Sequence, residues 1–75
     1  MEYELIEFNE DTNEAVIEDE DGNQINVYFV IDRDGVVMKN WDTDAVVGQA
    51  ILESDTSNGQ VYTFEFGDEA IHFTV

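Results

Sequence analysis

The chain has 75 residues, 43% of them hydrophobic, with no cysteine and no proline; nineteen Asp and Glu against only Arg33 and Lys39 give a formal net charge of −17. So short a chain is expected to build one hydrophobic core and one acidic domain, residues 1–75, with neither a disulfide framework nor a thiolate metal site. Its charge is repelled by phosphates and by anionic lipid, which excludes direct binding to nucleic acid or to a membrane surface.

Charge this high favours disorder, but 12% aromatic residues and short alternating apolar runs favour a fold. Tyr3 to Asn9 reads as a first strand, with Tyr3 and Leu5 on one face and Ile6 and Phe8 on the other. Glu10 to Asn13 supplies a polar turn, and Glu14 to Asp19 a second strand with Ala15 and Ile17 inward. Asp21-Gly22 has the chemistry of a type I′ hairpin turn. Gln24 to Asp32 is the clearest strand: Ile25, Val27, Phe29 and Ile31 share a face, while Tyr28 and Val30 make the other partly apolar, which suits the middle of a sheet. Asp34-Gly35 is a second turn signal before a short strand, Val36 to about Lys39.

After Trp41 the period changes. Val46, Val47, Ala50 and Ile51 form one stripe of an α-helix, with Asp42 as N-cap, Trp41 and Val46 as a hydrophobic staple, and Asp44 near the positive end of the dipole. The β-branched Val46, Val47 and Ile51 leave a strand from Ala45 to Leu52 as the rival reading, so residues 43–53 are open between the two. Ser54 to Gly59 ends the element. Gln60 to Phe66 and Ala70 to Val75 form a last hairpin around Gly67-Asp68-Glu69. Its apolar positions are Val61, Ile71, Phe73 and Val75, with Phe64 and Phe66 on the opposite face of their strand. The expected fold is α+β, mainly β: a curved antiparallel sheet or open small barrel in the order ββββαββ, with one short helix.

Catalytic and metal chemistry find little support. An EF-hand frame centred on Gly22 or Gly35 puts Ile17 or Val30 at the first ligand position. A frame starting at Asn9 uses Asp11, Asn13 and Glu20 but needs a sharp bend at Glu14. No cofactor or metal site is expected. His72 is the one side chain whose ordinary titration is near neutrality, and its alternation with Ile71 and Phe73 puts it on the solvent side beside Thr74. Carboxylate pairs arise by chance among nineteen, and no enzyme activity is expected. The start Met1-Glu2-Tyr3-Glu4 lacks a basic region, and the longest apolar run, Val27 to Ile31, is too short for a membrane span, so a cytoplasmic setting is expected.

The acidic pattern is more informative. Residues 1–21 hold ten carboxylates and no basic residue: Glu2, Glu4, Glu7, Glu10, Asp11, Glu14, Glu18, Asp19, Glu20 and Asp21. Strand residues two apart project from one face at about 6.7 Å, a spacing met by Glu2 with Glu4, Glu18 with Glu20, and Asp19 with Asp21. Such separations are of the same order as those between neighbouring phosphates along one nucleic-acid strand, although an ordinary solvated strand face with alternating acids has the same spacing. In charge and length, though in no motif, the chain resembles phage-encoded inhibitors of restriction, CRISPR and DNA-repair enzymes. The resemblance implies a DNA mimic, an anti-CRISPR or anti-restriction type of inhibitor, that occupies the basic DNA- or RNA-binding site of another protein. The ten acids would replace phosphates, and Tyr3, Tyr28 or Trp41 would anchor the contact. Asp42, Asp44, Asp55, Asp68 and Glu69 are the next acidic candidates. Two alternatives stand beside this reading: salt adaptation of a halophilic domain, and an acidic protein–protein interaction module that pairs strand edges or forms a homodimer.

Overall fold

The computed structural model describes residues 3–33 and 35–75, so Glu2 and Asp34 of the readings above lie outside the described residues. Short alternating runs separated by polar turns fold as consecutive antiparallel hairpins, since neighbours in sequence become neighbours in the sheet. The strands are β1 (Glu4–Asn9), β2 (Glu14–Glu18), β3 (Gln24–Asp32), β4 (Gly35–Asn40), β5 (Val46–Gln49), β6 (Ile51–Thr56), β7 (Gly59–Phe66) and β8 (Glu69–Thr74). The first five form one sheet in chain order, with β3 in its centre as its two-faced apolar pattern requires, and the last three form a second. The expected mainly β, antiparallel architecture is present as two sheets, which do not close into a barrel among the described residues.

The sheets meet over one apolar cluster. Ala15, Ile17, Val27, Phe29, Val36 and Met38 come from the five-stranded sheet, and Tyr62, Phe64, Phe66, Ile71 and Phe73 from the three-stranded one. Phe29 sits among aromatic rings, 5.8 Å from Phe8, 5.1 Å from Phe64 and 5.0 Å from Phe73 between centroids. In the last hairpin the buried face is the one carrying Tyr62, Phe64 and Phe66, while half-buried Val61 shares the outer parity with Thr63.

Three local expectations are corrected. First, no helix forms over residues 43–53. Asn40, not Asp42, does the capping: its Oδ1 accepts the backbone N–H groups of Asp42 (2.8 Å) and Thr43 (3.2 Å), and its carbonyl accepts that of Asp44 (2.8 Å). The resulting single turn stops where Asp44 enters the left-handed region at φ 64°. The β-branched residues then resume an extended path. β5 pairs with β4, the Ala50 N–H donates to the Val36 carbonyl, and the chain crosses into the second sheet as β6. The supposed helical stripe is split, with Val47 and Ala50 packed on the core and Val46 and Ile51 58% and 60% exposed.

Second, β1 does not alternate evenly. Leu5 pairs with Ile17 and Glu7 with Val16, leaving Ile6 as an extra residue in a β-bulge. The phase shift turns both Leu5 and Phe8 onto the core and leaves Ile6 46% exposed. Third, the β2–β3 connection is not a type I′ turn on Asp21-Gly22, which would need positive φ at both. Asp21 has no positive φ, the Gly22 N–H (φ 87°) donates to the Asp19 carbonyl (3.1 Å), and the Asp19 N–H donates to that of Asn23 (3.0 Å). This is a longer turn closed by a left-handed glycine.

Candidate functional site: an acidic sheet face and an end groove

Partners across an antiparallel ladder share a face. The inner pairs Leu5–Ile17 and Phe8–Ala15 therefore fix the outer ones: Glu4 opposite Glu18, Glu7 opposite Val16, and Asn9 opposite Glu14. The bulge at Ile6 matters here, because strict alternation from Glu4 would send Glu7 to the core side. One inserted residue places Glu4 and Glu7 on the same outer face, joined by Glu14 and Glu18 from β2. Glu4 and Glu18 stand directly opposed, a like-charge pair that opposes folding.

The other predicted acids sit at the two ends of this hairpin. Glu10 and Asp11 occupy the β1–β2 turn, where Asn9 Oδ1 accepts the Asp11 N–H at 3.0 Å. Asp19, Glu20 and Asp21 occupy the β2–β3 connection at the opposite end, so the strand spacing expected for Glu18 with Glu20 and for Asp19 with Asp21 is absent: β2 ends at Glu18. Asp19 serves the turn itself. Its Oδ1 accepts the N–H groups of Asp21 and Asn23, each at 2.9 Å, and its Oδ2 accepts the Asn23 side-chain amide at 3.3 Å. The Asn23 backbone bond, above all, holds its carboxyl below the ordinary 3.8.

The sheet packing adds acids that are distant in sequence. A groove of about 550 Å³ lies where the end of the β1–β2 hairpin meets the β7–β8 turn, and its walls include Glu4, Glu18, Asp19 and Glu20 on one side and Asp68 and Glu69 on the other. Tyr3, Leu5, Phe66 and Gly67 complete it. None of the six carboxylates is in an ion pair among the described residues. Among the described residues, too, no three His, Asp or Glu side chains converge closely enough to hold a metal ion. The negative charge is thus spread along a surface rather than focused on a point.

Of the three candidate anchors, Tyr3 packs against the core, whereas Tyr28 and Trp41 contact each other on the outer face, ring centroids 5.2 Å apart and 76° between planes. The Tyr28 hydroxyl donates to the Asp44 carboxylate, which, with some desolvation, holds the phenol above its ordinary 10.0. His72 is exposed as expected but not isolated: Nδ1 lies 2.8 Å from the hydroxyl of buried Thr63 and 3.3 Å from Glu53 Oε2, and Thr63 also bonds Glu53. Glu53 stands at the β6 bulge, which no alternation pattern in the sequence announces. This cluster ties β6, β7 and β8 together on the outer face.

The fold and site define a small two-sheet antiparallel β protein with an acidic outer face that runs into an acid-lined end groove. No protein-family model, no curated protein and no solved structure matches the chain.

Proposed function

We propose that the chain is a non-catalytic acidic decoy that occupies the basic nucleic-acid-binding site of another protein. The observation that supports this most is the continuity of the outer-face acids Glu4 and Glu18 with Asp68 and Glu69 across the end groove. Two sheets packed on a common core fix the backbone positions that carry these acids, so a partner's Arg and Lys side chains meet a row of acids on an ordered scaffold. A net charge of −17 draws such a partner in and orients it. The test is charge reversal at Glu4, Glu18 and Asp68 together, read as association rate with a purified basic nucleic-acid-binding enzyme. The decoy role predicts a fall of about tenfold or more at low salt; an unchanged rate removes the groove from the interface.

A second reading has its own observation. Among the described residues β5 and β6 are edge strands of their sheets, and Val46, Ile51 and Leu52 are exposed along them. Such an edge suits strand pairing with a partner or with a second copy of the chain. Self-pairing predicts a doubled solution mass once salt screens the repulsion, and a constant monomer mass contradicts it.

A further inference from the structure

A separate groove of about 350 Å³ lies on the outer face of the five-stranded sheet, with Glu7, Asn9, Glu14, Val16, Asn26 and Trp41 among its walls. Its floor follows from register: Glu7 is beside Val16, which is beside Asn26, and Asn9 is beside Glu14 on the next rung. The Trp41 backbone N–H donates to the Asn26 carbonyl at 2.8 Å, which fixes the main chain from which the indole lines the groove. Trp41 is 57% exposed, and its edge contact with Tyr28 uses no more than one of its ring faces. Glu7, Glu14 and Asn26 have no side-chain hydrogen bond or ion pair among the described residues.

We infer that this groove receives an arginine side chain of the partner protein, its guanidinium against the Trp41 indole and within reach of the Glu7 and Glu14 carboxylates. Charge complementarity selects the occupant: two unpaired carboxylates repel any anion, and the absence of a convergent triad among the described residues disfavours a metal ion. A planar cation with several donors satisfies carboxylates and amide oxygens together while stacking on an aromatic ring. A lysine ammonium supplies charge without the plane. The inference deepens the decoy reading and rests on it for the source of the arginine.

Trp41 is the only tryptophan, so its fluorescence reports on this groove alone. The whole chain is titrated with an arginine-rich peptide and with its lysine counterpart of equal length and charge. Arginine is expected to bind about three- to tenfold tighter and to shift the Trp41 emission. The variant Glu7→Gln/Glu14→Gln reduces that preference, and Trp41→Leu, followed by calorimetry with its circular dichroism unchanged, abolishes it. Equal affinity for both peptides, or binding that leaves Trp41 emission unaltered, overturns the inference. Loss of DNA-competed enzyme capture with the arginine preference intact defeats the decoy reading instead, so the two failures are distinguishable.

Discussion

Tyr28 and Asp19 show opposite uses of a carboxylate in this molecule. At Tyr28 the bond to Asp44 favours the protonated phenol, so its contribution to stability is complete below the ordinary value near 10 and is lost as pH rises through the higher folded value. Asp44→Asn is expected to bring the Tyr28 transition in ultraviolet absorbance back toward 10; no change would mean the hydrogen bond does not form in solution. At Asp19 the backbone donors favour the charged form, so its contribution is present above 3.8 and disappears as pH falls through the lower folded value. The core residue with most at stake is Phe29. Phe29→Ala removes a ring packed against residues of both sheets and is expected to cost about 3–5 kcal/mol in denaturant unfolding. For a chain of this length, with a total of roughly 4–11 kcal/mol, that is a large share of the stability. A cost below about 1 kcal/mol would contradict the packing of the two sheets described here.

At the level of elements, the Ile6 bulge and the Glu4–Glu18 pair make the sharpest prediction. Glu4→Lys converts a like-charge cross-strand pair into an opposite-charge one and is expected to raise stability by about 0.2–1 kcal/mol at low salt. The same change is expected to weaken partner binding. Thermal unfolding and binding measured on one preparation separate the two, and a variant less stable than the parent would contradict the register. The outward parity of Glu14 and Glu18 and the inward Ala15 and Ile17 were legible from simple alternation, as was central β3. The phase of β1 was not, because Leu5, Ile6 and Phe8 are apolar at both parities and a bulge leaves no local trace. The helix over residues 43–53 failed for a different reason. The cap there is Asn40 rather than the expected Asp42 and closes a single turn, and a short helix must be stabilised by tertiary packing because nucleation is costly. Here that packing goes to β5 and β6. Asp68 and Glu69 were visible only as a fallback, since their approach to Glu4 and Glu18 depends on how two sheets stack.

For the whole molecule, unpaired negative charge is the dominant stress. Salt shortens the Debye length to about 10 Å at 0.1 M and about 3 Å at 1 M, so added salt is expected to raise the melting temperature. The decoy account requires a folded chain at low salt as well, with β-type circular dichroism and dispersed amide resonances. Folding only toward molar salt would favour salt adaptation instead, leaving the charge without meaning for a partner. Titration toward the isoelectric point near 4.1 removes the repulsion by another route and is expected to act in the same direction until the Asp19 turn loosens.

Competition decides the central claim most directly. A purified basic nucleic-acid-binding enzyme is mixed with the chain in low-salt buffer, and duplex DNA is titrated into the complex while the bound fraction is followed. The decoy account predicts a one-to-one complex that DNA displaces and that weakens steadily as salt is raised. A complex indifferent to DNA, or none across a panel of restriction and CRISPR nucleases, would contradict it.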